Sequence, residues 1–227
     1  IKLAGTIDGG LGGDSFSNDL YSKVELTDNL NLIGFTLAGL YVTDTTDKVV
    51  HFTQNEANGE GHYTVGGKIL GQDGKVIIDN NSNSYYYMDF AKASEINHIE
   101  ANGGTNSVRL FGENKVGDIT INSNNGGEFY TYAPNNTISG DIHLTEDSDK
   151  QYRFNMIGKN TVNGDIDIDF VKEDASYYFS WDSDLRNYTE STAKYVNIKG
   201  TNDSLKASVD DVSIISGKNS VLAMDLN

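Results

Sequence analysis

Three stretches decide the fold: VRLFGENKVGDITI (residues 108–121), YTYAPNNTISGDIHL (130–144) and FNMIGKNTVNGDIDI (154–168). Their Gly-Asp pairs begin at Gly117, Gly140 and Gly164, an almost constant interval. A period of about 23 residues belongs to solenoids, in which each unit buries its apolar face only by stacking on the next. Each unit opens on an alternating stretch: Val108 and Leu110, Tyr130 and Tyr132, Phe154 and Met156. Period two marks a strand with one face buried, which here places Tyr130, Tyr132 and Phe154 inside. A breaker follows (Gly112, Pro134 or Gly158), and then Asn114, Asn136 or Asn160. Gly and Asn tolerate the left-handed backbone of a tight corner, and an Asn side chain can bond nearby backbone. After a β-branched residue comes Gly-Asp and a second alternating strand: Ile119 and Ile121, Ile142 and Leu144, Ile166 and Ile168. No helical spacing competes. The expected fold is all-β, a right-handed parallel β-helix with coils of about 23 residues and like side chains stacked from coil to coil.

The pattern weakens outward from this centre. Tyr63 and Val65 lead to GQDGKVIID (71–79), the same corner followed by a strand, and Glu95 to Ile99 stand one full period before Asp118 to Asn122. ISGKNSVLAMDL (215–226) repeats the corner near the end, whereas residues 1–60 hold strand-like but irregular pieces such as GFTLAGLYV (34–42) and KVVHFT (48–53). The sequence therefore reads as one β-helical domain over residues 1–227, a fragment of a larger secreted protein, with an irregular part at 1–60. At about 23 residues per coil it would make about ten coils and a rod of about 45–50 Å. Residues 169–192 are expected to project as a loop.

Composition agrees. Twenty-four Gly, one Pro and no Cys favour many turns without covalent staples, and 37% hydrophobic residues suffice for the narrow core of a solenoid. A formal charge of −16, from 17 basic against 33 acidic residues, opposes nucleic acid and anionic membrane as partners. It also serves the solubility of a secreted rod. No apolar run is long enough to cross a membrane as a helix, so direct insertion is not expected. Alternating carboxylates at Asp165, Asp167 and Asp169, at Asp147 and Asp149, and at Asp182 and Asp184 raise the question of calcium. The ion wants six to eight oxygens, however, and the calcium-binding nonapeptide is absent, so no metal or cofactor is expected.

Aromatic clusters are the best candidates for ligand contact. Alternation sends half of each cluster inward and leaves Tyr85, Tyr87, Phe129, Tyr177 and Trp181 as the expected ligand-binding rings, able to grip a sugar or a partner protein. Catalytic constellations are not convincing. Gly13-Asp14-Ser15 resembles the nucleophile block of GDSL-type esterases, but no Asp-x-x-His accompanies it and Ser15 reads as a turn residue. Asp210-Asp211 resembles the paired acids of polygalacturonases without that family's Gly-His-Gly or Arg-Ile-Lys.

The repeated GENKVGDITI, NNTISGDIHL and GKNTVNGDIDI resemble the coils of autotransporter (type V secretion) passenger domains of Gram-negative bacteria, in the adhesin-like and vacuolating-cytotoxin-like branches. The resemblance spans about residues 63–227, most firmly 108–168. It implies export through the outer membrane and display at the cell surface or release outside the cell. The expected function is thus a non-enzymatic adhesin, a module binding a host-cell surface protein or glycan, with self-association as a further option. The alternatives are a polysaccharide-cleaving β-helix enzyme (lyase or glycosidase) and a structural part of a secreted toxin.

Overall fold

The structure, a computed structural model, describes residues 1–10, 14–18, 21–55, 60–132, 135–156, 160–171, 176–181, 195–200 and 221–226. Side chains are described as far as Val171, Phe170 excepted, or about seven turns. The chain is a parallel β-solenoid with three ladders of strands, numbered here in chain order. The first ladder stacks β1 (Lys2–Asp8), β3 (Glu25–Ile33), β6 (Val49–Gln54), the start of β9 (Lys75–Phe90) and the middle of β10 (Glu95–Phe111). It continues through β11 (Lys115–Ser123), β14 (Ile142–Glu146), β17 (Asp165–Phe170), β19 (Tyr195–Gly200) and β20 (Val221–Leu226). The second stacks β2 (Asp14–Ser17), β4 (Phe35–Tyr41), β7 (Gly61–Gly66), the ends of β9 and β10, β12 (Gly127–Tyr132), β15 (Gln151–Met156) and β18 (Ser176–Trp181). The third and narrowest runs from β5 (Thr45–Thr46) and β8 (Lys68–Leu70) through the starts of β10 and β11 to β13 (Asn136–Ile138) and β16 (Asn160–Val162).

The core follows directly from this register. Leu30, Val50, Val76, Ile99, Ile119, Ile142 and Ile166 occupy successive rungs of the first ladder, and every one is buried. A column of branched aliphatics stacked at the strand spacing of about 4.8 Å forms the apolar spine of a narrow prism, whose interior also buries polar side chains such as Gln54, Asn106 and Glu146. The third ladder contributes Ile69, Ile96, Val116, Ile138 and Val162 in the same way.

Both corner motifs acquire a physical reason. Asn114, Asn136 and Asn160 are buried and form a ladder: Asn114 Nδ2 donates to Asn136 Oδ1 at 3.1 Å, and Asn136 Nδ2 to Asn160 Oδ1 at 2.8 Å. At the Gly-Asp corner, the backbone N–H of Asp141 donates to Asp118 Oδ1 at 2.9 Å and that of Asp165 to Asp141 Oδ1 at 2.8 Å. The Gly makes room for that carboxylate, since a Cβ on Gly140 would overlap Asp118 Oδ1. Corner pairing thus satisfies backbone groups that the strand ladders leave unpaired.

Within the stretch 1–60, β1 to β6 join the same ladders, with register shifts between Leu3 and Gly5 and between Asp14 and Ser15. Three expectations require correction. The segment 95–99 does not pair one full period ahead: Glu95 lies opposite Lys115 and His98 opposite Asp118, so this coil is shorter than the repeat that follows it. Ser15 lies on a strand, opposite Leu37, and not in a turn. Residues 169–192 hold strand β18, paired with β15. The pairs Asp182 and Asp184, and Asp210 and Asp211, lie outside the described residues.

Candidate functional site

On β9, Tyr86 points into the core and Tyr85 and Tyr87 point out, as period two requires. The inward Tyr86 ring lies against Gly61 on the rung below, where a Cβ would overlap Tyr86 Cε1. Around the outward tyrosines, the outer surface of the second ladder is an aromatic strip crossing four rungs. His62 stacks on Tyr87 (centroids 4.5 Å apart, 16° between planes), and Tyr87 packs on Tyr85 at 4.7 Å. Phe111 stacks on Tyr132 (5.0 Å, 8°), which stacks in turn on Tyr130 at 5.1 Å. Arg109 joins the two halves, its guanidinium 4.2 Å above the Tyr87 ring and 5.8 Å from that of Phe111. Asp89, in register with Arg109 on the neighbouring strand, grips it by two bonds of 2.5 and 2.8 Å. Burial alone would weaken the Arg109 charge, but the bonds and charge of Asp89 outweigh it and hold the pKa up.

Beside the strip opens a cleft of about 370 Å³ lined by Tyr85, Tyr87, Thr105, Asn125, Gly127, Glu128, Gln151 and Arg153. Next to the cleft, Ser107 is buried between Tyr87 and Glu128 in register. The Ser107 hydroxyl donates to Glu128 Oε1 at 2.6 Å, and the Tyr85 phenol lies close to both. Burial first, and the Glu128 carboxylate second, push the Tyr85 phenol well above its ordinary range. Tyr132 is raised for the same two reasons, and Tyr87 by burial and then by Glu60 and Glu128. All three therefore remain neutral hydroxyls at ordinary pH, able to donate and accept.

Of the five rings singled out from sequence, Tyr85 and Tyr87 come together at the cleft. Phe129 does not: it is fully buried, stacked on Phe154 at 4.9 Å, and cannot meet a ligand. The register of β12 is one residue away from the expected one, so Phe129 and Thr131 point in while Tyr130 and Tyr132 point out. A one-residue slip exchanges the two faces of a strand. Tyr177 and Trp181 lie on β18 opposite Tyr152 and Met156, and their side chains are outside the described set.

Sequence reasoning missed Arg109, Glu128, Arg153 and the outward pair Tyr130 and Tyr132. One signal was available for Arg109, a charged residue set between the core residues Val108 and Leu110 and about one coil after Asp89. Among the described residues, no group of three or more His, Asp or Glu side chains is placed to hold a metal ion. Comparison with family models, with curated proteins and with solved structures finds no match.

Proposed function

We propose that this chain is a recognition module of a surface-exposed or secreted β-helical protein, an adhesin-like passenger that contacts a host-cell surface protein or glycan. The observation that carries the reading is the aromatic strip with its adjoining polar cleft. Six outward rings with a pinned arginine are far more apolar contact area than a solvated strand face needs for stability. Tyrosine presents rigid, amphipathic area at low entropic cost, and rings of this kind with Arg dominate the centres of recognition surfaces. The autotransporter resemblance supports display at the cell surface or outside the cell as the setting, and a solenoid suits it, because stacked coils present one long flat face. Among the described residues that line the cleft, Glu128 is the one carboxylate, where glycoside hydrolysis ordinarily draws on two.

The test is retention of the purified chain on intact host cells and on neutral and acidic polysaccharides, with soluble products followed by mass. Retention that falls at least tenfold in the Tyr85→Ala, Tyr132→Ala double variant is the expected result. Retention unchanged in that variant would remove the strip from the reading. New oligosaccharide products would replace the adhesin by a polysaccharide-cleaving enzyme.

A further inference from the structure

Two arginines stand on the outer surface of the second ladder among the described residues, and their surroundings differ. Arg109 is fully engaged by Asp89 and by the Tyr87 ring. Arg153, three rungs beyond Asp89, is exposed; its Nε–H donates to Gln151 Oε1 at 3.3 Å, and no described carboxylate lies within ion-pair distance of it. Its partner in register is Glu128, one rung away on β12. A guanidinium and a carboxylate thus project side by side from adjacent strands, about 4.8 Å apart at the backbone, with the cleft open between them. Glu128 already has the Ser107 hydroxyl to hold it in place. The amide side chains of Asn125 and Gln151 border the same space, and the Tyr85 ring forms one wall.

This lining selects for ligand charge. An anionic sugar would meet Glu128 at short range and, at long range, the field of a chain carrying −16. A cationic sugar would have its attraction to Glu128 opposed at similar range by Arg153. A neutral ligand satisfies both groups only if it donates to one and accepts from the other within a single short span, and two hydroxyls on adjacent ring carbons do that. We propose that the cleft binds a neutral hexose through a vicinal diol, whose hydroxyls donate to Glu128 and accept from Arg153 while the apolar face of the ring packs on Tyr85. The inference rests on the recognition reading above and names its ligand class. Volume agrees, since 370 Å³ lies at the lower end of the range of small-molecule sites and suits one sugar ring better than an extended chain.

The experiment titrates the intact chain with methyl α-mannoside, methyl β-galactoside and methyl β-glucoside, and with glucuronic and N-acetylneuraminic acids, following tyrosine resonances by NMR. At least one neutral hexoside is expected to shift the Tyr85 ring signals saturably, and its 2-deoxy or 4-deoxy counterpart to bind at least tenfold more weakly. Glu128→Gln and Arg153→Gln should each weaken that binding at least tenfold, in line with loss of one hydrogen bond to a charged group. Arg153 is exposed, so its variant tests the idea even if Glu128→Gln disturbs the Ser107 contact and the fold. Binding of the acidic sugars alone, binding untouched by either variant, or saturation by no sugar would overturn the proposal. Cell retention measured on the same variants separates the two ideas. Retention lost in Tyr132→Ala but intact in Arg153→Gln leaves the recognition module standing without the diol site, and no retention by the unmodified chain removes the module itself.

Discussion

Asn136 shows how a single side chain ties three coils together. Its Oδ1 accepts both the backbone N–H and the side-chain amide of Asn114, each at 3.1 Å, and its Nδ2 donates to Asn160. The ladder continues at both ends, where Asn114 Oδ1 accepts the Ser94 backbone N–H at 3.0 Å and Asn160 Nδ2 donates to Thr131 Oγ1 at 3.0 Å. None of these groups has water as an alternative, because the corner is closed. Removing the middle of such a chain costs more than one ordinary hydrogen bond, since the two Asn114 donors left behind are buried polar groups without their acceptor. Asn136→Ala is expected to destabilise the chain by about 2–6 kcal/mol in urea unfolding, the sum of the two orphaned Asn114 donors at about 1–3 kcal/mol each. Asn136→Asp keeps the acceptor for Asn114 but turns an oxygen toward Asn160 Oδ1, so it too should destabilise, and less so at acid pH, where a protonated carboxyl can donate. A cost under about 1 kcal/mol for Asn136→Ala would mean that water or the backbone replaces the ladder.

At the scale of the strand, β12 separates what the sequence declares from what only packing decides. The Gly-Asp and Asn corners were legible because each places an unusual residue type at a fixed backbone geometry, and geometry repeats from coil to coil. The face of β12 was not, because Phe129, Tyr130 and Tyr132 are all aromatic and period two permits either choice. Gly126 (φ +76°) and Gly127 (φ +148°) make the choice: a Cβ on Gly127 would overlap the Asn106 carbonyl oxygen, so the strand enters close against its neighbour. Phe129 is then aligned with Val108 on the strand before it and Phe154 on the strand after it. The cleft was illegible for a related reason, since Tyr85 and Arg153 stand several coils apart in the chain and share no local motif. Phe129→Ala should therefore cost about 3–5 kcal/mol, the value for emptying a buried aromatic site. Tyr130→Ala should cost less than about 1 kcal/mol, as a change on an outward face does, and instead weaken cell retention. Unfolding curves for the pair decide the register directly, and the reverse order of costs would restore Tyr130 to the core.

For the whole molecule, stacking that builds the core also stacks charge. Any residue type repeated at one position of the coil is placed about one strand spacing from its copy, and Asp118, Asp141 and Asp165 occupy successive corners in this way. Two unit charges at about 4.8 Å repel by roughly 1 kcal/mol even in water, and the repulsion adds along the rod. The cations do little to offset it: 17 basic residues face 33 acidic ones, and pairs such as Lys2 with Glu25 and Lys92 with Glu113 are solvent-exposed. Exposed pairs contribute about 0–1 kcal/mol each. Screening should then relieve more repulsion than it removes attraction, because the Debye length falls from about 30 Å at 0.01 M to about 8 Å at 0.15 M. The melting temperature is expected to rise by several degrees between about 10 and 150 mM NaCl. Choline chloride should do the same, since screening depends on ionic strength and not on the identity of the cation. A fall with salt would mean that the surface ion pairs outweigh the stacked carboxylates. A rise confined to calcium, with sodium and choline inert, would locate the effect in a cation site on the acidic corners and not in the field of the rod as a whole.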